Sequence, residues 1–249
     1  MRFLTTIIVI HVCIQAVCSR PLSGWYDFEG SIGGVKVSLT LYPDNEGKLK
    51  GSYYYNKYET KIDLRGELDG GDLILEESIN QEITGFFIGT VSERFSSIEG
   101  EWINANSAKS LPFKLNSTGY YYGSKECRYS PAFYDTTEEV EQFAAAIKKA
   151  IVDEDYNWIA ENIAYPITVH LEGTKEHTIK TADEMLRYAG KIFYSEFIAY
   201  IKKQVTINMY CKTEGAMIGA GMIWFSGYFD MDTEKYSKKI IAINNADIY

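Results

Sequence analysis

Few side chains in this sequence are of the types that carry acid–base chemistry near neutral pH. Beyond the first twenty residues the histidines are His170 and His177. Imidazole titrates close to neutrality, so either could serve as a general acid or base. The phenols of Tyr165 and Tyr188 and the carboxylates of Asp153 and Asp155 lie in the same half of the chain. Tyr165, His170 and Asp155 are the set from which an acid and a base would be drawn. Each also has a plainer reading. His170 stands in the alternating run ITVHL between Val169 and Leu171, where it can face core or solvent. His177 lies beside a turn, and Asp153 and Asp155 stand where a helix would be capped. Trp224, between Ile223 and Phe225, reads first as core and second as an aromatic platform for a ligand. The ligand-contacting candidates are therefore Tyr165, His170, Tyr188 and Trp224, and no catalytic residue is assigned.

Other chemistries find no matching pattern. No His/Cys/Asp spacing of the metal-ligand kind occurs, so neither a metal nor a cofactor is implied. Glycine-rich stretches fall in strand-like segments and not at a strand–loop–helix junction that cradles phosphate. A Gly-x-Ser-x-Gly elbow is missing, and Cys211 has no base placed beside it. The net charge of −9 lacks the basic face that nucleic acid requires. Tyrosine, at 20 residues, supplies either sheet positions or a polar-aromatic surface for a sugar or a protein.

The N-terminus reads as an export signal over residues 1–19: Arg2, then the uncharged run Phe3–Val17, then Ala16, Cys18 and Ser19 at the point of cleavage. A lipid anchor on Cys18 is the alternative, with Val17 a poor fit just before it. The run is short for a membrane span and no second one follows. A periplasmic or extracellular protein is expected. That compartment permits disulfides, so Cys127 and Cys211 are expected either to be bonded to one another or to be two buried thiols.

Residues 24–115 carry period-2 alternation and turn signals throughout. VKVSLTLY (35–42) places Val35, Val37, Leu39 and Leu41 on one face. The turn PDNEG (43–47) and the Asp69-Gly70-Gly71 hairpin signal separate further strands at KLKGSYYYNKY, ITGFFIGTVS, SSIEGEWIN and SLPFKL. Gly51, Gly66, Gly85 and Gly100 sit one to a strand, as barrel curvature requires. The expectation is an all-β meander closing into a small barrel or sandwich, either filled by side chains or holding one ligand. On Glu76-Glu77, alternation puts at least one carboxylate in water. Residues 116–135 read as a linker and contain the sequon Asn116-Ser117-Thr118.

The period changes after Asp135. Thr136–Glu139 and Thr181–Glu184 are capping boxes. Val140, Phe143, Ala144, Ile147 and Ile151 recur at helical spacing, as do Met185, Leu186, Ala189, Ile192 and Phe193. A shorter helix follows Asp153–Asp155 and ends before Pro166. Strands are expected at ITVHL, EHTIK, VTINMYC (205–211), AMIGAGMIWFSGYF (216–229) and SKKIIAIN (237–244). The fold class expected is α+β: an N-terminal β meander, then a cone-shaped α+β domain over 136–249 in which a curved antiparallel sheet, bent at Gly215, Gly219, Gly221 and Gly227, wraps a long helix.

The order of these elements resembles the nuclear-transport-factor-2-like (SnoaL-like, cystatin-like cone) superfamily. Phe143, Tyr165-Pro166-Ile167, Thr181–Leu186, Met217-Ile218-Gly219, Ile223-Trp224-Phe225 and Ile241–Asn244 resemble a group of uncharacterised bacterial envelope proteins with such a domain. The superfamily's range, from isomerases to immunity proteins, implies no single activity. Two functions are expected from these signals. One is an exported, non-enzymatic binding protein of the bacterial envelope, an inhibitor or immunity protein for a toxin or wall hydrolase, with a protein or cell-wall component as partner. The other is a small-molecule carrier or enzyme using a pocket of the cone.

Overall fold

The computed structural model describes residues 23–58, 60–107, 109–171, 175–231 and 234–246. The expected export signal, with Cys18, lies outside the described residues.

Eight antiparallel strands form a closed barrel in simple up-and-down order. They are β1 (Trp25–Ile32), β2 (Val35–Pro43), β3 (Lys48–Tyr55), β4 (Ile62–Asp69), β5 (Asp72–Ile79), β6 (Glu82–Val91), β7 (Ser97–Asn104) and β8 (Ser110–Tyr121), with β8 closing on β1. Alternation decides what enters the barrel: Leu39, Leu41, Leu64, Leu73, Leu75, Phe87, Ile98 and Leu115 point inward and are fully buried, so the interior is packed with side chains. Curvature demands close strand approach. At Gly51, Gly66 and Gly100 a Cβ would stand 2.0, 1.9 and 2.2 Å from a carbonyl oxygen of the adjacent strand. Only glycine fits there. Gly85 differs, since its missing side chain makes room for the Trp102 ring. Strand β8 runs on to Tyr121, so the barrel takes the first residues of the segment expected as a linker, and β1 precedes the first strand expected from the sequence.

The second half holds α1 (Thr137–Val152), α2 (Tyr156–Glu161), β9 (Ile167–Leu171), β10 (Lys175–Ile179), α3 (Ala182–Ile192), α4 (Ser195–Lys202), β11 (Cys211–Lys212), β12 (Gly215–Ile218), β13 (Ile223–Asp230) and β14 (Lys235–Ile243). Each of the first three helices begins where a side chain accepts an orphan amide: Thr136 from Glu139, Asp155 from Trp158 and Thr181 from Glu184. Val140, Ala144, Ile147 and Ile151 of α1 are buried in a core shared with Phe197, Ile218, Phe225 and Ile240.

The α+β class with a cone-shaped domain is overturned. The chain is mostly β, 48% strand against 22% helix, and the closed barrel dominates it. In place of one curved sheet there are two small ones. β9 and β10 form a two-stranded sheet and β11–β12–β13–β14 a four-stranded sheet, with one parallel bridge, Ile163–Ile240, between α2's exit and β14. Two local causes are visible. Residues 205–210, expected as a strand, spend their polar groups elsewhere: Asn208 takes φ +51°, and the amides of Asn208 and Met209 donate to Glu141 and Tyr129. The long strand expected over 216–229 breaks at Gly219 and Gly221, whose φ values of +66° and +83° make a turn. Among the described residues, no helix is long and apolar enough to cross a membrane.

Candidate functional site

The residues singled out by type do not assemble. The Tyr165 hydroxyl donates to the carbonyl of Ala160 at 2.9 Å, and burial pushes the phenol up to about 12. His170 is held through its backbone: its amide donates to Asn245 Oδ1 at 2.7 Å and its carbonyl accepts from Asn245 Nδ2 at 2.8 Å. Its ring Nδ1 is buried with no hydrogen-bond partner. Tyr188 packs on His177, ring centroids 4.8 Å apart. Trp224 lies on the outer face of the four-stranded sheet, half-buried, with Lys212 Nζ 5.0 Å over its ring and Tyr210 edge-on at 6.2 Å. It is therefore not the core residue that the sequence suggests. Asp155 caps α2, and Asp153 pairs with Lys149 one helical turn earlier.

Cys127 and Cys211 are free thiols, both buried, so the expected disulfide is corrected. Each is enclosed by the core of the second half. Burial raises both thiols, that of Cys211 up to about 12, and a thiol so protonated is inert as a nucleophile.

The polar groups that do assemble lie elsewhere. Inside the barrel, alternation carries Glu77 to the same face as Leu73 and Leu75, and it is buried. Its carboxylate accepts from Tyr53, from Trp102 Nε1 at 2.8 Å and from Thr84 Oγ1 at 2.6 Å. Burial, with the Glu77 charge beside it, raises the Tyr53 phenol far above its usual value. A second network fills the seam between barrel and second half. Arg128, fully buried, donates to both oxygens of Asp27 at 2.7 Å, to Thr40 Oγ1 at 3.0 Å and to the carbonyl of Met209 at 2.9 Å. Glu141, also buried, accepts from Tyr129 at 3.2 Å, the Asn208 amide at 3.0 Å and Lys61 at 2.9 Å. These groups satisfy one another, which is what buried charge requires. Sequence reading missed Arg128, Asp27 and Glu141. Glu77 was not singled out either, although period 2 places it with Leu73 and Leu75.

Among the described residues, one surface feature without a cover is the far end of the four-stranded sheet. Cross-strand partners share a face, so Phe225–Ile240, Gly227–Lys238 and Phe229–Tyr236 form one side of β13–β14. The first pair is buried, with Phe225 edge-on to Phe143 of α1 at 5.6 Å. At Gly227 the chain at Ala132 and Phe133 passes 3.8 Å from where a Cβ would stand. Beyond that point nothing in the described chain covers the face. Phe229 is 39% exposed and Tyr236 79%, their rings 4.8 Å apart, and Phe133 is 76% exposed beside them. A cavity of about 400 Å³ opens here, lined by Phe133, Tyr134, Gly227 and Tyr236 together with Asp135, Glu139 and Lys238. Lys238 and Glu139 pair at 3.5 Å. The core face of this sheet thus outruns the helix that covers it. Among the described residues, no group of three His, Cys, Asp or Glu is placed to hold a metal ion. Compared with models of protein families and with curated proteins, the chain matches none of them.

Proposed function

We propose that this protein is an exported, non-enzymatic binding protein whose partner is another protein with a basic surface, seated on the open end of the β13–β14 sheet. The observation that carries this reading is the uncovered continuation of a core face: Phe229 against Tyr236, with Tyr236 and Phe133 lining a cavity large enough for an apolar side chain of a partner. Contiguous exposed aromatic groups rimmed by charge are the usual mark of a protein-binding surface. The rim includes the exposed acids Asp135 and Glu139, and the chain carries −9 overall, which steers a basic partner towards it. An inhibitor or immunity protein for a basic toxin or wall hydrolase is the role with these properties.

The test is capture from envelope extract at low salt by the wild-type chain and by Phe229→Ser/Tyr236→Ser. The reading expects a basic protein on the wild type, released by salt and lost from the double variant, with both forms melting alike. Failure to retain any partner, or equal retention by the variant, counts against it. Sedimentation of the free chain separates self-association from capture.

A further inference from the structure

A second, smaller cavity of about 210 Å³ sits where the outer wall of the barrel meets the second half, away from the aromatic end of the sheet. Its floor is a row of outward residues on three neighbouring strands, Glu29, Ser38 and Tyr54, each the register partner of the next. Asp27, Thr118 and Asn208 close it.

Three separate features build this cavity. Asp27 is locked in one orientation by two hydrogen bonds from the fully buried Arg128. The β1–β8 ladder passes from Asp27–Gly119 to Phe28–Ser117, so Thr118 is left unpaired as a bulge at the cavity. Bulges of this kind re-aim a side chain and recur beside binding sites. Asn208 adopts φ +51°, uncommon for a residue other than glycine, and is held there by its amide on Glu141 and its side chain on Ser52. A bulge and a left-handed residue converging on one polar cavity describe a site held in shape by its surroundings.

The chemistry of the lining selects the ligand. Asp27 and Glu29 offer acceptors, and Arg128 spends its bonds on Asp27, Thr40 and Met209 and so neutralises Asp27 from behind. Hydroxyl groups of Ser38 and Thr118 and the Asn208 carboxamide complete a polar wall, with the aromatic ring of Tyr121 also at the cavity. Such a set suits a compact, uncharged molecule rich in hydroxyl donors. The volume lies below the ~300–1,000 Å³ of sites for drug-sized ligands, which limits it to one small ring. We propose that this cavity binds a single pyranose unit, free or at the end of a glycan chain, through hydroxyls donated to Asp27 and Glu29.

The experiment is an amide-shift titration of the full chain with N-acetylglucosamine and with its β-1,4-linked trimer. Saturable shifts confined to residues 27–29, 38, 54, 118–121 and 208 are expected. A trimer that binds more tightly than the monomer identifies a glycan end as the source, and equal affinity identifies a free sugar. Glu29 is exposed and outside the seam network, so Glu29→Gln should fold normally and lose about tenfold in affinity, the size of one charge-assisted hydrogen bond. Absence of shifts with either sugar overturns the proposal, as do shifts mapping elsewhere or affinity unchanged in Glu29→Gln. Neither result touches the aromatic end of the sheet, so this test and that of the protein-binding reading fail independently.

Discussion

Arg128 and Asp27 meet in a two-pronged ion pair that ties the barrel to the helical half, each guanidinium Nη donating to one carboxylate oxygen at 2.7 Å. Asp27 belongs to β1, and Arg128 lies in the connection after the barrel, 101 residues later. Burial alone would lower the Arg128 pKa, but the charge and hydrogen bonds of Asp27 outweigh it and the group is held above its usual value. Both halves of the molecule therefore depend on one buried cation.

Removing one partner should show this. Asp27→Asn leaves the Arg128 charge buried without its paired carboxylate and should cost ~3–5 kcal/mol. The double variant Asp27→Asn/Arg128→Met removes the charge as well and should recover much of that loss. Urea unfolding of the wild type, the single and the double variant measures it; equal losses in both variants would show that the pair is incidental.

Inside the barrel, Glu77 is the acceptor for three donors. Glu77→Leu strands the Tyr53 hydroxyl and the Trp102 indole N–H in an apolar interior. An unsatisfied buried donor costs ~1–3 kcal/mol, so Glu77→Leu should melt well below Glu77→Gln, which keeps an acceptor. Thermal unfolding followed by tryptophan fluorescence distinguishes the two.

Glycines of the barrel and of the helices should respond in opposite directions. Gly66→Ala places a Cβ 1.9 Å from the carbonyl oxygen of Ile74 and must push β4 from β5. Gly190 of α3 is exposed and has nothing within 4 Å of where a Cβ would stand, so Gly190→Ala should stabilise by ~0.5–1 kcal/mol. Calorimetry should find Gly66→Ala lowered in Tm and Gly190→Ala raised by ~1–4 °C.

Alkali should weaken the fold through the buried thiol of Cys211. Cys211 has an ordinary value of 9.0 and is pushed up to about 12 by burial, so the folded chain keeps a proton that the unfolded chain gives up. Stability from this source is complete below pH 9 and is lost as pH rises towards 12. The phenol of Tyr165, raised from 10.0 to about 12 by burial, acts in the same direction. Unfolding free energy measured across this range should fall, and Cys211→Ala should flatten part of the slope.

The barrel could be read from the chain because its signals are local. Alternation at Val37, Leu39 and Leu41, the glycine pair at residues 70 and 71, and one glycine per strand report on neighbours a few residues away, and these decide strand, turn and curvature. The caps at Thr136 and Thr181 were legible for the same reason: a hydroxyl and an amide three residues on make the whole interaction. At Gly219 and Gly221 the local signal was ambiguous, since glycine serves a bend within a strand and a turn equally well, and the structure takes the turn.

What the amino-acid sequence determined by itself was most of the strands and turns of the first half, the capped helix starts at Thr136, Asp155 and Thr181 in the second, and a net charge of −9. Only the tertiary structure decided which polar residues meet. Arg128 reads as a linker arginine until Asp27 and Met209 enclose it. The residues near 208 read as a strand until Glu141 and Tyr129 take their amides. The core face of β13 acquires an open end only once α1 is seen to stop short of Phe229 and Tyr236. Each of these outcomes depends on side chains distant in sequence competing for the same buried groups, and period and propensity carry no record of such competition.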